Sequence, residues 1–162
     1  MQKYEYAGGP SLKNLAIVLR EHGDVSAMRD LLQRVAFNVA IGNADAHAKN
    51  FSFLHYPDGL SVTLAPVYDV LSTISLERRP NTEGILVGAS TTMGQKINAQ
   101  TDILKVSKED IISEGTKWGL RRKASEECVA GVFDAVSTSI AVTSGDESVL
   151  NRIRAQLTRA SS

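Results

Sequence analysis

Apolar residues recur at helical spacing in the first part of the chain. A stripe over Leu12–Leu19 follows Ser11, a residue type that caps helices, and predicts a short helix that ends before Gly23. A longer stripe predicts a helix over Ser26–Ile41, with apolar members Met28, Leu31, Leu32, Val35, Ala36 and Val39. Gly42-Asn43 then favours a left-handed helix end, so the polar segment that follows is expected to lie in a loop.

The pattern changes from helical to alternating after Asn50. Two alternating stretches, Phe51–Phe53 and Leu60–Leu64, flank the turn sequence Pro57-Asp58-Gly59. They predict a β-hairpin over Asn50–Ala65 with its turn centred on Asp58. Because the strands of a hairpin are antiparallel, Asn50 is expected to lie close to the Pro66–Asp69 segment.

The remainder of the chain is mainly helical in pattern, after a stretch of weak periodicity from Leu76 to Lys105. Within that stretch only "GILVG", Gly84–Gly88, indicates a short strand, and the rest is expected to be loop. Ser107 and Asp110 form a capping-box pattern at the start of a helix that runs toward Trp118. Two more helices are predicted at about Arg122–Val142 and Asp146–Arg159. The predicted fold class is therefore mainly α with a β-hairpin, in one domain over residues 1–162.

Composition removes several classes of protein from consideration. The 162 residues include 18 basic and 18 acidic side chains, so no whole-chain charge attracts nucleic acid or an anionic membrane. Cys128 is the single cysteine, which excludes an internal disulfide, and its apolar surroundings indicate a buried thiol. No apolar run approaches the length needed to cross a bilayer, and the N-terminus lacks a signal-peptide pattern. We therefore expect a cytoplasmic protein with no membrane contact.

Candidate chemistry concentrates in "IGNADAHAKNF", Ile41–Phe51, the loop between the second helix and the hairpin. Asp45 and Asn50 have the D-x-x-x-x-N spacing of a protein-kinase catalytic loop. In that chemistry one carboxylate orients the acceptor hydroxyl, while the Asn and a second carboxylate hold magnesium against the nucleotide phosphates. Asp69, across the predicted hairpin, is placed to supply the second carboxylate. His47 or Lys49 could neutralise phosphate charge.

Three segments resemble the C-terminal lobe of the HipA-type kinases, which are toxin components of bacterial toxin–antitoxin pairs. They are "YEYAGGPSL", "IGNADAHAKNFSFL" and "LAPVYDVLS", and they occur in the family's order between about Lys3 and Ser72. The resemblance implies a protein-kinase-like C-terminal lobe with Asp45 as catalytic base and Asn50 and Asp69 as magnesium ligands. It also implies that His47, Lys49 and Tyr68 lie beside the phosphates of ATP.

The same resemblance implies cofactors and partners. The cofactors would be ATP and Mg²⁺, and the substrates would be protein hydroxyls, with aminoacyl-tRNA synthetases among the family's targets. The protein partner would be a HipB-like helix-turn-helix antitoxin, so that DNA is contacted only through the antitoxin. In the family an N-terminal lobe carrying the phosphate-binding loop and a strand Lys precedes these motifs. We therefore expect this chain to be a C-terminal lobe that is inactive or weakly active alone.

Alternative interpretations remain at this stage. "GASTTMGQK", Gly88–Lys96, lacks the spacing of a Walker phosphate loop and is expected to be an ordinary loop.

The sequence also leaves other functions open. An aminoglycoside-type small-molecule phosphotransferase would use a similar Asp, Asn and Asp set. An isolated lobe that binds a partner or antitoxin without catalysis is a second alternative. A metal-dependent hydrolase using Asp45, His47 and Asp69 is a third. Taken singly, Asp45 could be a turn residue, Asp69 a helix cap and His47 a packing residue.

Overall fold

The computed structural model describes residues 2–23, 26–57, 60–76, 79–80, 82–84, 86–87 and 90–162. Within these ranges the fold has five α-helices: α1 (Leu12–His22), α2 (Ala27–Ile41), α3 (Lys108–Lys117), α4 (Arg122–Val142) and α5 (Glu147–Ser161). The described strands are β1 (Phe53–His55), β2 (Val62–Leu64), β3 (Arg79–Pro80), β4 (Leu86–Val87), β5 (Thr92–Ile97) and β6 (Gln100–Asp102). They pair in sequence order as three two-stranded antiparallel sheets, so the predicted fold class is confirmed.

Helix α2 is the centre of the core, as its apolar stripe predicts. It contacts all four other helices and strand β2. Its core-facing side chains are almost fully buried, and they are Leu31, Leu32, Val35, Ala36, Val39 and Ala40. Truncating a leucine in such a position costs about 2–5 kcal/mol of stability, so the packing of α2 stabilises the part of the fold from which the loop begins.

The ends of the other helices follow the predicted caps. Ser11 and Asn14 form a capping box at the start of α1, and Ser107 and Asp110 form one at the start of α3. The Asp146 side chain accepts hydrogen bonds from the first backbone N–H groups of α5. Cys128 on α4 is buried, and burial raises the pKa of its thiol, in agreement with a structural role. None of the described helices combines the length and apolar character needed to span a membrane.

The predicted hairpin is present between β1 and β2. Phe53 pairs with Leu64 and His55 pairs with Val62 in an antiparallel register. Val62 and Leu64 face the core, whereas Leu54 at the centre of β1 is exposed. The predicted turn centre, Asp58-Gly59, lies outside the described residues.

A second hairpin, formed by β5 and β6, corrects the prediction of loop over Leu76–Lys105. Strand β5, Thr92–Ile97, contains the last five residues of the "GASTTMGQK" segment and pairs with Gln100–Asp102. The connecting residues Asn98 and Ala99 both have left-handed φ angles, 47° and 70°. The sequence signal is weak because Ala replaces the glycine usual in such turns, and because buried Gly94 and Gln95 interrupt the apolar alternation.

The "GILVG" segment is only partly described. Leu86 and Val87 form the short strand β4 and pair with Arg79 and Pro80 of β3. Ile85 and Gly88, which belong to the same predicted strand, lie outside the described residues.

Candidate active site

The loop with the predicted site residues begins at a sharp end of α2. Gly42 has a left-handed φ of 72°, and its N–H is bonded to the Asn38 and Val39 carbonyls. A Cβ atom at this position would lie 2.2 Å from Cδ1 of Ile74, so glycine is required both for conformation and for space. The chain therefore leaves the helix abruptly and packs directly against the segment that follows Asp69.

Thr73 fixes the first residues of this loop. Its hydroxyl accepts a 2.8 Å hydrogen bond from the Ala44 N–H and donates a 3.1 Å bond to the Gly42 carbonyl. Ile74 N–H adds a 3.2 Å bond to the same Gly42 carbonyl. Because Thr73 is buried, these bonds are shielded from water and hold the residue before Asp45 in place.

Strand β5 holds the loop from the other side. The N–H of Gly94 donates a 2.8 Å hydrogen bond to the Ala44 carbonyl. A Cβ atom on Gly94 would lie only 3.0 Å from Cβ of His47, so the absence of a side chain permits this close approach. The hairpin that the sequence failed to predict is thus part of the support for the site.

Asn50 and Asp69 are brought together as predicted. The amide Nδ2 of Asn50 donates a 2.9 Å hydrogen bond to Oδ2 of Asp69, across the base of the β1–β2 hairpin. The Oδ1 of Asn50 accepts a 3.1 Å bond from the His47 backbone N–H, which ties Asn50 to its own loop. Two oxygen-bearing side chains from separate segments therefore lie next to each other at the open end of the hairpin.

Asp69 has an unusual backbone conformation. Its φ angle is 55°, in the left-handed region that Asp and Asn tolerate better than other residues with a side chain. The alternative in which Asp69 caps a following helix is wrong, because the next helical turn, Thr73–Ser75, follows Ser72 and has no side-chain cap. The conformation instead turns the carboxylate toward Asn50.

Asp45 is exposed, and the hydrogen bond described for its side chain comes from outside the loop. The Tyr4 hydroxyl donates a 2.9 Å bond to Oδ1 of Asp45. The Tyr4 ring stacks on Tyr6 with centroids 5.0 Å apart, and the Lys3 ammonium lies 4.6 Å from the Tyr4 ring centre. The Tyr4 side chain raises the pKa of Lys3, and the charges of Asp45 and Asp69 raise it further. Lys3 therefore lies within electrostatic reach of both carboxylates.

His47 is buried, with 6% of its surface exposed. Its ring packs edge-on against Tyr4 at 5.4 Å between centroids, which agrees with a packing role. However, its Nδ1 atom has no hydrogen-bond partner among the described residues. A buried nitrogen in that state is costly, so the site offers a polar atom that a bound group or water can satisfy.

Tyr68 and Lys49 are joined through the loop backbone. The Tyr68 hydroxyl donates a short hydrogen bond to the Lys49 carbonyl and lies 2.6 Å from the Ser52 hydroxyl. The Lys49 side chain is exposed. Tyr68 thus anchors the end of the Ile41–Phe51 loop to the segment that carries Asp69.

Asp45 opens onto a cavity of about 270 Å³. Its lining residues are Tyr4, Tyr6, Asp45, Leu71, Thr73, Leu76, Ser90 and Thr92. A larger apolar groove of about 570 Å³ lies between α2, α4 and α5, and none of the predicted site residues lines it. In the part of the chain described, no three His, Cys, Asp or Glu side chains are grouped to hold a metal. The metal-hydrolase alternative, which needs Asp45, His47 and Asp69 together, gains no support from this arrangement.

The residues that sequence reasoning missed are those that support the loop from a distance. Tyr4 lies 41 positions before Asp45, and Thr73 lies 29 positions after Ala44. No periodic pattern links such pairs, because each contact depends on tertiary packing. The "YEYAGGPSL" resemblance was the one signal that connected the N-terminal segment with the site.

The fold and this arrangement define the class of protein. A helical body, a short hairpin and a polar loop at the hairpin base form a protein-kinase-like C-terminal lobe. The chain belongs to the HipA-like C-terminal domain family, whose sequence pattern matches residues 1–140.

Two relatives illustrate the match. The first, Y4mE of Sinorhizobium fredii, is named as a candidate kinase and is 36% identical over 95 residues, which are 57% of this chain and 22% of that protein. The second, the serine/threonine-protein kinase toxin HipA of Shewanella oneidensis, is 50% identical over 48 residues, which are 30% of this chain and 11% of that protein. Both relatives are named as kinases, the first only as a candidate, and the chain matches well under a third of the length of either one.

A solved structure extends the likeness to the whole fold. HipA of Shewanella oneidensis MR-1, in a complex with HipB and operator DNA, superposes with a TM-score of 0.68 and 23% sequence identity. The superposition covers 98% of this chain and 39% of that HipA chain. The fold is therefore that of the HipA C-terminal region.

Proposed function

We propose that this chain is the catalytic lobe of a HipA-like Ser/Thr protein kinase that uses ATP and Mg²⁺. The observation that carries the proposal is the Asn50–Asp69 hydrogen bond of 2.9 Å, with Asp45 five residues before Asn50 in the same clamped loop. A turn residue or a helix cap would not need this pairing of an amide and a carboxylate from two segments. Family membership supports the same reaction class.

The donor set of Asn50 and Asp69 fits magnesium. Both side chains offer hard oxygen atoms, and Mg²⁺ in kinase sites takes one or two protein ligands together with phosphates and waters. The His47 N–H uses one lone pair of Asn50 Oδ1, and the second remains for a metal. When bound, magnesium neutralises charge on the β and γ phosphates of ATP.

Asp45 would orient the acceptor. Tyr4 occupies its Oδ1, so Oδ2 is available for the hydroxyl of a substrate Ser or Thr. The acceptor oxygen forms a bond to the γ phosphorus, the bond to the β–γ bridging oxygen breaks, and ADP leaves. The acceptor proton passes to Asp45. The exposed Lys49 ammonium is available to phosphate oxygens, whereas the unpartnered Nδ1 of His47 lies buried beneath the loop surface.

The proposed partners follow from the same family. The solved HipA relative is in a complex with HipB and operator DNA. We propose a HipB-like antitoxin for this protein, with DNA contacted only through the antitoxin, in agreement with the balanced charge of the chain. The proposed substrates are protein hydroxyls, and aminoacyl-tRNA synthetases are the first to assay. A nucleotide-binding N-terminal lobe would complete the ATP cleft.

The test is phosphate transfer from radiolabelled ATP by a longer protein that includes this chain and an N-terminal lobe. Replacement of Asp45 by Asn removes the acceptor-orienting carboxylate, and we expect a loss of about 100-fold or more in rate. Asp134→Asn makes the same chemical change on the exposed surface of α4 and should leave the rate unchanged. Full activity in the Asp45 variant would refute the proposed site, and transfer to an aminoglycoside but not to protein would favour the small-molecule alternative.

A further inference from the structure

A contact with Tyr4 restricts the side chain of Asp45. Tyr4 lies in the N-terminal segment, and its hydroxyl donates a 2.9 Å hydrogen bond to Oδ1 of Asp45. Asp45 is exposed and sits in a loop, so its side chain has rotamer freedom unless a neighbour restricts it. Among the described residues, the Tyr4 side chain is the neighbour that hydrogen-bonds to the Asp45 carboxylate and restricts its rotamers.

Tyr4 is itself held from several directions. Its ring stacks on Tyr6 at 5.0 Å with 9° between the planes, and it meets the buried His47 ring edge-on. The Lys3 ammonium lies 4.6 Å from the ring centre, and the Lys3 carbonyl accepts a 3.2 Å hydrogen bond from the Ala48 N–H. The N-terminal segment therefore contacts the Ile41–Phe51 loop through a backbone hydrogen bond as well as through the Tyr4 ring.

We propose that Tyr4 is a positioning residue for Asp45, which fixes the carboxylate so that Oδ2 faces the acceptor hydroxyl. The inference rests on the proposed function, because it assumes that Asp45 is the acceptor-orienting group. Catalysis depends steeply on such placement, since a displacement of about 1 Å can cost roughly 100-fold in rate. The Tyr4 hydroxyl acts through its hydrogen bond to Asp45 in this proposal, so its removal is expected to lower kcat and to leave KM unchanged.

The first test uses Tyr4→Phe, which removes only the hydroxyl and retains the ring contacts to Tyr6, His47 and Lys3. The matched control is Tyr56→Phe, which makes the same change in an exposed residue beyond the end of β1. In this chain, three-bond NMR couplings report the χ1 rotamer of Asp45. We expect one rotamer in the wild type and in the control, and rotamer averaging in Tyr4→Phe. A single unchanged rotamer in Tyr4→Phe would overturn the inference.

The second test measures steady-state kinetics in the longer protein with an N-terminal lobe. We expect Tyr4→Phe to lower kcat by about tenfold with the KM values for ATP and acceptor unchanged, which is the signature of lost orientation. An unchanged kcat, or a change confined to KM, would overturn the inference while the Asp45→Asn result still supports the proposed function. Full activity in Asp45→Asn would overturn the proposed function and this inference together.

Discussion

Asp69 combines a left-handed backbone conformation with a carboxylate that contacts Asn50. A left-handed φ of 55° disfavours most side chains, yet Asp and Asn tolerate it. The Asn50 bond to Asp69 then places an amide and a carboxylate at the same point. Replacement of Asp69 by Asn keeps the backbone preference and removes only the charge, so it tests the proposed metal-binding role separately from folding.

We predict that Asp69→Asn, in the longer protein, raises the magnesium concentration needed for half-maximal phosphate transfer by about tenfold or more, because a neutral amide is a weaker ligand than a carboxylate. Circular dichroism of the variant should match that of the wild type. The measurement is a magnesium titration of the transfer rate, with Asp134→Asn as the charge-matched control. Superimposable titration curves for Asp69→Asn and wild type would contradict the assignment of Asp69 as a metal ligand.

The residues of the site differ in how far the sequence could predict them. Asp45 and Asn50 share a local spacing, and Asp69 follows from the geometry of one hairpin, so each could be proposed without coordinates. The Tyr4 contact spans 41 positions and depends on how the N-terminal segment crosses the loop. The sequence also indicates Tyr68 only by resemblance, whereas the structure gives it a definite partner in the Lys49 carbonyl.

At the scale of elements, the site depends on how the end of α2 meets the segment after Asp69. Thr73 joins them through one hydroxyl that serves two buried backbone groups, the Ala44 N–H and the Gly42 carbonyl. Removal of that hydroxyl would leave the Ala44 N–H without a partner, and the Gly42 carbonyl with only its bond from the Ile74 N–H, in a place that water reaches poorly. Such losses are larger than the net value of an ordinary hydrogen bond.

We therefore predict that Thr73→Val, which keeps the side-chain shape, lowers the free energy of unfolding by about 2 kcal/mol. Because the displaced loop carries Asp45, phosphate transfer by the longer protein should also fall. Urea denaturation of this chain measures the first effect. Thr158→Val, which removes an exposed hydroxyl on α5, is the control and should change stability little. Equal stability of the two variants would show that Thr73 does not secure the loop.

The capping box of α3 gives a prediction about pH. Burial opposes ionisation of Asp110, but hydrogen bonds from the Ser107 backbone and hydroxyl and from the Asn98 amide outweigh it, with a contribution from the charge of Lys117. The pKa of Asp110 is therefore lowered in the folded state. A lowered carboxyl pKa adds stability that is present above the unfolded-state value of about 3.9 and is lost as the pH falls through the folded value.

Asp110→Asn should remove this contribution, so the stability difference between wild type and variant should be largest above about pH 5 and should shrink as the pH falls below about 4. Urea denaturation of both proteins at a series of pH values measures it. A difference that is constant across this range would mean that ionised Asp110 does not stabilise the start of α3.

Some secondary-structure elements could be predicted from the sequence and others could not, for the same reason as the site residues. The helices were predictable because their apolar stripes and caps are local, and the Ser26–Ile41 prediction agrees closely with α2 at Ala27–Ile41. The β5–β6 hairpin was not predictable, because its turn lacks glycine and its strand contains Gly94, which is there to approach His47. Gly94 therefore weakens the strand pattern in the sequence, and the same lack of a side chain permits its close approach to His47.

At the scale of the whole molecule, we propose that the chain is one lobe of a two-lobed kinase. It covers 39% of the HipA chain whose fold it shares. Its described residues include a proposed base, two proposed magnesium ligands and the loop that carries the base. Adenine and the α and β phosphates are gripped in kinases by an N-terminal lobe, so the chain alone should bind nucleotide weakly.

The most direct test of this account compares label transfer from radiolabelled ATP, with magnesium, by the isolated chain and by a longer protein in which an N-terminal lobe precedes it. Both proteins are first checked for folding by circular dichroism. We predict no measurable autophosphorylation or protein phosphorylation by the isolated chain, and clear transfer by the longer protein. Robust transfer by the isolated chain, or no transfer by a longer protein that binds ATP and magnesium, would contradict it.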